Sequence, residues 1–310
     1  MVSTTSEIIS QFVINQYKDG NYQTPLIIGI NGPQGSGKTT TCEQVVTELS
    51  QKLAANVIAL SIDDFLLTHN DQEKISRANP GNKLLEFRGL PGTHDIKLGS
   101  HILQSICNQL PIQIPHYDKS LHNGRGDRAP TSKWTLISSP IDIVLFEGWS
   151  LGFKHLSETC LKHIYESSLK YSSKSHLPSH KLEHLLTVNN FLKEYEREWY
   201  PYIDAFIHLD AKDINYAYEW RLQQEHTMRK RGLSGMSDAE VRDFVDRYMP
   251  AYELYVPALR DKCLFCSNDW DRDEDMGKLQ REEHRMHKER SLRILLDRNR
   301  KVIDVFKNVL

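Results

Sequence analysis

Short apolar runs recur along the chain, and helical or irregular stretches separate them. Unbroken apolar runs of about four to eight residues are typical of strands that are buried on both faces of a parallel sheet. Helical spacing of apolar residues predicts helices between these strands. The alternation of the two elements predicts an α/β fold with a doubly wound, mostly parallel sheet. The predicted strands are residues 26–30, 57–62, 112–115, 141–146, 204–210 and about 301–305, and the predicted helices are 6–18, 40 onward, 96–110, 188–198, 213–231 and 237–248.

The remaining segments are polar or irregular in composition. Residues 68–95 are rich in Asn, Gly and Pro, and residues 116–130 are polar, so both are expected to be irregular. Residues 152–187 mix Ser, His and Lys without a clear period, which predicts a partly helical insertion. The pattern therefore predicts a single domain over the whole chain, with a core at 25–265 and a C-terminal segment at 266–310.

A glycine-rich segment follows the first predicted strand and precedes a predicted helix. Its residues fit the pattern G-x-x-x-x-G-K-[ST] in the order that a phosphate loop requires. In such a loop, backbone N–H groups and the helix N-terminus surround phosphate, Lys38 reaches the β- and γ-phosphates, and the Thr39 hydroxyl binds Mg²⁺. We therefore expect the chain to bind a nucleoside triphosphate. The candidate contacts are Gly32, Pro33, Gln34, Gly35, Ser36, Gly37, Lys38, Thr39 and Thr40.

Acidic residues stand at the ends of three predicted strands. Asp63 and Asp64 follow the second strand, Glu147 ends the run at 141–146, and Asp210 ends the run at 204–210. Parallel sheets place ligand chemistry at the carboxyl ends of their strands, although acids there can also cap the following helix. We favour capping for Asp210. For Asp63 and Glu147 we favour function, because both adjoin loops that must face the γ-phosphate.

Charge and cysteine content narrow the class of protein. The chain has 39 Lys and Arg against 41 Asp and Glu, a formal net charge of −2, which argues against nucleic acid or anionic membrane as a partner. No stretch approaches the roughly 18 apolar residues of a membrane span, and the N-terminus lacks the pattern of a secretory signal. Five scattered cysteines indicate free thiols in a reducing compartment. We expect a cytoplasmic protein, with the nucleus as a second location, that is a monomer or a homodimer.

A Cys-x-x-Cys pair raises the alternative of a zinc site. Cys263 and Cys266 are followed by His284 and His287. Those two histidines are closer than the usual spacing of about three to five intervening residues. The acidic stretch after the cysteines is typical of a solvated loop, so ordinary thiols are the favoured interpretation.

Several segments resemble kinases that act on small metabolites. The run Ser61-Ile62-Asp63-Asp64-Phe65 resembles the Asp-x-Phe element of uridine kinases, pantothenate kinases and phosphoribulokinases. Residues 112–118, with His122, resemble the uridine kinase substrate loop, and 144–148 match the Walker-B-like strand of that superfamily. Finer details resemble D-glycerate 3-kinase and its fungal ATP-dependent homologues. These details are Gly-Leu-Pro-Gly-Thr-His-Asp at 89–95, Met-Pro-Ala-Tyr within 248–252, and the segments 204–209 and 220–223.

This resemblance implies phosphoryl transfer from ATP, with Mg²⁺, to a hydroxyl of a small metabolite, with D-glycerate as the leading acceptor. It places Asp63 as the base that receives the hydroxyl proton, since a carboxylate of ordinary pKa is ionised at pH 7. Glu147 would hold Mg²⁺ with Thr39. Asp64 would point to the other face if the strand persists, as a helper or a cap. A pantothenate or nucleoside kinase and a non-catalytic ATP-binding regulator stay open, although Leu66, where uridine kinases carry Tyr, disfavours a nucleobase pocket.

A basic cluster lies on and just after the helix predicted at 213–231. In the related kinases this region is a lid whose arginines fold over the phosphates, which excludes water and neutralises the transferring charge. The alternative is a solvated helix face on which Glu225 pairs with Arg221 one turn away. We favour the lid for Arg221 and Arg229 and leave both interpretations open for Lys230 and Arg231.

The resemblance also indicates residues that would hold the acceptor. Asp95, Tyr117 and His122 correspond by position to acceptor-binding residues of uridine kinases. A lone loop histidine is often an ordinary surface residue, which is the alternative for His122. A glycerate-like acceptor also needs a cation for its carboxylate, and arginine is an apt partner. The candidates are Arg125, together with Arg88 and Arg128, each of which could instead be solvated.

Overall fold

The computed structural model describes residues 3–20, 22, 25–171, 174–230, 232, 235–261, 264–265 and 290–307. In chain order its strands are β1 (Leu26–Asn31), β2 (Val57–Ser61), β3 (Ile112–Ile114), β4 (Tyr117–Asp118), β5 (Asp127–Arg128), β6 (Thr135–Ile137), β7 (Ile143–Gly148), β8 (Ala205–Ala211), β9 (Ser291–Leu296) and β10 (Val302–Lys307). Its α-helices are α1 (Thr5–Asp19), α2 (Lys38–Leu53), α3 (His69–Ala78), α4 (Ile96–Cys107), α5 (Glu158–Tyr171), α6 (Leu182–Glu198), α7 (Tyr216–Lys230), α8 (Asp238–Asp246) and α9 (Met249–Asp261).

A six-stranded sheet lies at the centre, in the order β10-β9-β8-β1-β7-β2. Its strands pair in parallel, except that β10 runs antiparallel to β9. The register places Ile30 of β1 and Ser61 of β2 on either side of Glu147 in β7. The carboxyl ends of these three strands therefore meet at one edge of the sheet, the edge at which α/β folds bind ligands.

Two hydrophobic clusters cover the two faces of the sheet. Side chains alternate along β1, so that Ile28 and Ile30 pack toward the face of α1 and α2, while Ile27 packs toward the opposite face. Gly29 also lies on that opposite face, where a Cβ atom would come within 2.8 Å of the Phe206 ring. Both faces are thus covered, which confirms the predicted doubly wound α/β fold.

The strands predicted in the core are confirmed with small shifts of their ends, as are the helices at 6–18, 40 onward and 96–110. The helix predicted at 237–248 is confirmed as α8, which opens with a capping box in which Ser237 and Glu240 bond to each other's backbone N–H groups. The insertion at 152–187 is partly helical as expected, because it contains α5 and the first turns of α6.

Five local features of the structure differ from the predictions, and the first is the unpredicted strand β6, which pairs with β3. Residues 68–95 are not wholly irregular, because α3 lies within them and is capped by the Thr68 hydroxyl, which accepts the N–H of Asp71. The polar loop 116–130, called the acceptor loop below, contains the paired strands β4 and β5. Strand β9 and helix α9 were not predicted. Helix α9 contains Pro257, a residue that argues against a helix in sequence alone.

Two further expectations concern membranes and cysteines. Among the described residues, no helix is long and apolar enough to cross a membrane. Cys42, Cys107 and Cys160 carry free thiols. The zinc alternative concerns residues that lie outside the described ranges, namely Cys263, Cys266, His284 and His287.

Candidate active site

The phosphate loop begins where β1 ends. The side-chain amide of Asn31 donates to the carbonyl oxygens of Trp149 and Leu151, at 2.9 and 2.7 Å, which ties the start of the loop to the segment after β7. Gly35 and Gly37 have φ angles of 75° and 90°, a conformation that favours glycine. Gly37 of the motif, and Gly35 between its fixed positions, are therefore favoured by the turn that leads into α2.

The helix that follows the loop is open to an anion. Gly37 occupies the N-cap position of α2, and no side chain caps the free N–H groups there. The Ser36 hydroxyl is buried without a hydrogen-bond partner among the described residues. The ammonium of Lys38 donates to the Pro33 carbonyl oxygen at 3.1 Å, inside the loop. Unused donors around a helix N-terminus fit a polyphosphate.

Burial and nearby acids act on Lys38 in opposite directions. Burial lowers the pKa of Lys38, and the negative charges of Glu147 and Asp63 oppose that change. The three side chains are thus close enough to interact electrostatically. The structure therefore brings together the predicted phosphate-binding lysine, the predicted metal-binding acid and the predicted base.

Thr39 and Glu147 form the candidate metal site. The Thr39 hydroxyl donates to Oε1 of Glu147 at 3.0 Å, and Glu147 is 6% exposed. A hydroxyl and a carboxylate beside a phosphate loop are the oxygen donors that Mg²⁺ takes in proteins, usually with phosphates and waters. Within the described ranges, no group of three or more His, Cys, Asp and Glu side chains is arranged to hold a metal ion. The donor set therefore fits Mg²⁺ that is shared with a nucleotide.

Asp63 lies in a 3₁₀ turn, Ile62–Phe65, directly after β2. Its Oδ2 accepts a hydrogen bond from the Lys119 ammonium of the acceptor loop at 2.6 Å. Burial alone would raise the pKa of Asp63, but the charge and the hydrogen bond of Lys119, together with weaker effects of neighbouring groups, outweigh it and lower the pKa to about 2. Sequence reasoning missed Lys119, although it follows the Tyr-Asp pair of a recognised segment.

Asp64 is a structural cap, one of the two roles expected for it. The strand ends at Ser61, so Asp64 does not point to the opposite face; it accepts the backbone N–H of Ser61 at 3.3 Å as part of a capping box. Burial raises the pKa of Asp64 to about 7. Of the two adjacent acids, Asp63 alone is paired with a cation of the acceptor loop.

Asp210 does not cap the helix that follows it, so the favoured interpretation was wrong. It is buried in β8 and pairs with Arg260 of α9 and Arg293 of β9, at 2.8 and 2.7 Å. The sequence did not indicate that either arginine pairs with Asp210, because α9 and β9 were not predicted. Asp210 therefore holds the C-terminal elements against the sheet.

The predicted acceptor residues lie around the acceptor loop. Asp95 caps α4 by accepting the N–H of Leu98 at 3.1 Å, and it pairs with Arg128 of β5 at 3.1 Å. Tyr117 of β4 is buried, and its hydroxyl lacks a hydrogen-bond partner in the described part of the chain. Burial raises the pKa of Tyr117 to about 12, so its hydroxyl stays protonated and can donate.

His122 lies in the exposed turn of the acceptor loop. Its φ angle is 50°, its Nε2 is 3.2 Å from Asp127, and its ring stacks on His69 with centroids 3.9 Å apart. No described contact joins His122 to Asp63. The structure thus gives His122 partners within its own surface cluster, and an acceptor contact stays a prediction.

The candidate arginines are held by other parts of the protein. Arg88 donates to the carbonyl oxygens of Gly124 and Arg125, and its guanidinium lies over the Tyr117 ring. Arg125 lies over the Phe87 ring, with 5.0 Å between its guanidinium carbon and the ring centroid. Arg88 and Arg125 also line a cavity of about 220 Å³ beneath α3, with His69, Gln72, Glu73, Ser76, Arg77, Glu86 and Phe87.

Helix α7, which carries the predicted lid arginines, packs directly on the phosphate loop. A Cβ atom at Gly35 would lie 2.6 Å from Cβ of Trp220. Arg221 pairs with the buried Glu225 at 2.5 Å, which is the contact of the alternative interpretation, and Arg229 pairs with Asp238 at 2.6 Å. Arg231 lies outside the described residues. A closing role for α7 stays a prediction.

Two contacts on the phosphate loop were missed from the sequence. The Tyr252 hydroxyl of α9 accepts the backbone N–H of Gln34 at 3.1 Å. Arg300, in the turn between β9 and β10, donates to the Gly35 carbonyl oxygen at 2.6 Å. The Met-Pro-Ala-Tyr segment offered a signal for Tyr252, whereas Arg300 carried none. The loop is thus held by elements that are distant in sequence.

Comparison with known proteins identifies kinases as relatives of this chain. No protein-family model matches the chain. Over 251 residues, 79% of this chain and 51% of the relative, it is 41% identical to the chloroplastic D-glycerate 3-kinase of Arabidopsis thaliana. It is 40% identical over 241 residues to the kinase mug58 of Schizosaccharomyces pombe, covering 77% of this chain and 83% of that protein. The chain therefore spans about half the length of the plant relative and most of the yeast one.

A solved structure extends the likeness to nearly the whole chain. The D-glycerate 3-kinase from Cryptococcus neoformans var. grubii superposes with a TM-score of 0.83 at 32% identity. The superposition covers 98% of this chain and 99% of that one. The sheet and the helices around it are thus arranged as in that fungal protein.

Proposed function

The chain belongs to the family of kinases that includes D-glycerate 3-kinase and the fungal kinase mug58, and from this premise we propose that it transfers the γ-phosphoryl group of ATP to a hydroxyl of D-glycerate. The observation that carries the proposal is the meeting of Lys38, Glu147 and Asp63 at the carboxyl ends of adjacent strands. These are a phosphate-binding cation, an acid for a divalent cation and a base. Phosphoryl transfer needs little more than charge neutralisation, alignment and a group that receives a proton.

The nucleotide side is formed by the phosphate loop. The N–H groups at the start of α2 and the Lys38 ammonium bind and orient the β- and γ-phosphates. Thr39 and Glu147 would hold Mg²⁺, which would supply positive charge next to the phosphate oxygens. Tyr252 and Arg300 fix the loop backbone at Gln34 and Gly35, so that its N–H groups are oriented before the nucleotide binds.

The acceptor side is formed by Asp63 and the acceptor loop. Asp63 accepts the proton of the attacking hydroxyl, and its low pKa keeps it ionised at neutral pH. Asp95, Tyr117, His122 and Arg125 are the proposed acceptor contacts, and Tyr117 is the best supported because its buried hydroxyl is unused within the described residues. Helix α7 would cover the phosphates with Arg221 and Arg229.

A small acceptor is better supported than a nucleoside. Leu66 stands where uridine kinases carry Tyr, and here it is buried, with 1% of its surface exposed. Its carbonyl oxygen accepts from Arg128 at 2.8 Å, which fixes this segment against the acceptor loop. Leu66 is therefore not available to stack on a base.

The proposal is tested with an acceptor panel. The purified protein is incubated with ATP, Mg²⁺ and D-glycerate, pantothenate or uridine, and ADP release is measured with a coupled assay. We expect ADP release that depends on D-glycerate, and ³¹P NMR of the product identifies which hydroxyl carries the phosphate. Turnover with pantothenate or uridine but not with D-glycerate would overturn the acceptor.

A variant pair separates this kinase from a contaminating one. Lys38→Ala removes the cation of the phosphate loop and should abolish acceptor-dependent ADP release. Lys52→Ala is the matched control, because Lys52 lies at the far end of the same helix and is half exposed beside Glu48. Equal activity in the two variants would mean that the measured turnover does not use this phosphate loop.

A further inference from the structure

We propose that Lys119 recognises the anionic group of the acceptor and, in doing so, uncovers Asp63. The inference deepens the proposed function, since it names the residue that selects anionic acceptors at the same site. In the structure the Lys119 ammonium contacts Oδ2 of Asp63 at 2.6 Å. The oxygen that would receive a hydroxyl proton is therefore already occupied as an acceptor of a hydrogen bond.

The backbone around Lys119 is held in place, so the side chain can move by itself. Tyr117 and Asp118 pair with β5 in a two-stranded ladder. The Asp118 carboxylate accepts the backbone N–H and the hydroxyl of Ser120, at 2.9 and 2.6 Å. Lys119 thus extends from a fixed turn toward Asp63, which is 56 residues distant in sequence. A long flexible side chain on a fixed backbone can exchange one anionic partner for another.

The contact between Lys119 and Asp63 is partly exposed to solvent. The side chains of Lys119 and Asp63 are 58% and 32% exposed. Across the described ranges, the Lys119 ammonium hydrogen-bonds to one group, the Asp63 carboxylate. Ion pairs that face solvent contribute little to stability, because water and salt screen them. A carboxylate on an incoming acceptor can therefore compete for Lys119.

Removal of Lys119 changes the charge around Asp63. At neutral pH the positive groups that act on Asp63 are Lys119 and Lys38, because burial lowers the pKa of His94 to about 4, and Lys119 is the stronger of the two. The nearby acids are Asp64, whose pKa the negative charge of Asp63 helps to raise, and Glu147, whose negative charge helps to raise the pKa of Lys119. With Lys119 in contact, the Asp63 carboxylate is a poor base. When the ammonium turns to the acceptor, the carboxylate becomes more basic and free to accept a hydroxyl proton.

The arginines near the loop are less suited to this role. Arg128 is engaged by Asp95 and by the Leu66 carbonyl oxygen. Arg88 is engaged by two carbonyl oxygens of the acceptor loop, and Arg125 lies over an aromatic ring. Each holds protein groups in place, whereas Lys119 holds the proposed base.

The reaction step balances in this arrangement. The acceptor hydroxyl oxygen forms a bond to the γ-phosphorus as the bond from that phosphorus to the β,γ-bridging oxygen breaks, and ADP leaves. The hydroxyl proton passes to Oδ2 of Asp63, the oxygen that Lys119 has left. Water lacks an anionic group to draw Lys119 away, so hydrolysis of ATP without an acceptor should be slow.

The experiment compares an anionic acceptor with a neutral one of similar size. Values of kcat and KM are measured by ADP release for D-glycerate and for glycerol, in the unsubstituted protein and in Lys119→Met, Lys119→Gln and Lys119→Arg. We expect the preference for D-glycerate over glycerol to fall at least tenfold in Lys119→Met and Lys119→Gln, mostly through a higher KM for D-glycerate. Hydrolysis without acceptor should rise in both variants, and Lys119→Arg should retain most of the preference.

Lys133→Met is the matched control, because Lys133 is an exposed lysine of the same region outside the proposed site. It should leave the preference unchanged. An unchanged preference in both Lys119→Met and Lys119→Gln would overturn the assignment of Lys119. If the unsubstituted protein does not use D-glycerate, the proposed acceptor fails first. The preference is then measured on the acceptors of the panel that are used, and turnover of uncharged acceptors alone would also overturn the assignment.

Discussion

The Thr39 hydroxyl donates to the Glu147 carboxylate at 3.0 Å across the boundary between α2 and β7. This contact joins the helix of the phosphate loop to the neighbouring strand of the sheet. The same two oxygens are the proposed ligands of Mg²⁺. Loss of either oxygen should therefore affect the metal requirement of turnover more than the fold.

Thr39→Ala and Glu147→Gln should each lower kcat on the order of 10²-fold, because each removes a proposed ligand of the Mg²⁺ that would stabilise charge on the phosphate oxygens. Titration of Mg²⁺ at saturating ATP should show a higher metal requirement in both. Thr47→Ala is the control, since Thr47 is an exposed threonine on the same helix that donates to the Glu43 carbonyl oxygen. A normal Mg²⁺ titration in Thr39→Ala would contradict the proposed ligand.

Asp63→Asn should retain ATP binding while turnover falls by roughly 10²–10⁴-fold, as is typical for loss of a general base. Asp64→Asn is the natural contrast, because an amide oxygen can still accept the Ser61 N–H that Asp64 accepts. It should retain most of its activity. Single-turnover measurements with D-glycerate, together with nucleotide binding by calorimetry, separate the two effects. Equal losses of turnover in the two variants would refute the assignment of the base.

Tyr252→Phe should raise the KM for ATP several-fold while kcat changes little, because the Gln34 N–H loses its hydrogen-bond acceptor. Tyr255→Phe is the control on the same helix, where the hydroxyl donates to Asn189 and not to the phosphate loop. It should lower the free energy of unfolding by about 1 kcal/mol and leave the KM for ATP unchanged. Steady-state kinetics and thermal unfolding measure both quantities, and an equal rise of KM in the two variants would argue against a specific role of Tyr252.

Asp204 should make the free energy of unfolding fall as the pH rises, whereas most carboxylates in folded proteins have the opposite effect. Burial raises the pKa of Asp204 to about 6, and its carboxylate accepts the Ile27 N–H at 2.8 Å. A carboxyl whose pKa is higher in the folded state favours folding when protonated. Its contribution is therefore present below the unfolded pKa of about 4 and is lost as pH rises through about 6.

Asp204→Asn should accordingly stabilise the protein at pH 7, by at most about 3 kcal/mol, and should have little effect at pH 4. The amide oxygen can still accept the Ile27 N–H. Denaturant unfolding of both proteins at the two pH values measures the difference. A variant that is equally or less stable at pH 7 would contradict the raised pKa.

Local patterns predicted the elements that bury a continuous apolar face. The runs that became β1, β7 and β8 were visible because every residue of these strands is buried, so most positions are apolar. The phosphate loop was visible because its glycine, lysine and threonine stand at fixed spacing, and the positive φ angle at Gly37 favours the glycine there. Helix α9 was missed because its prolines argue against a helix, whereas burial of Tyr252 and Tyr255 stabilises it in the folded protein.

The amino-acid sequence by itself determined the α/β alternation, the phosphate loop and the positions of Asp63 and Glu147 at the ends of strands, since these depend on short-range periodicity and on residue types at close spacing. The partners of those residues were decided by tertiary structure. The contact of Lys119 with Asp63 joins two loops, and the contact of Arg300 with Gly35 joins the last strand pair to the first loop. Such pairings depend on how the strands are ordered in the sheet, which local sequence patterns do not encode.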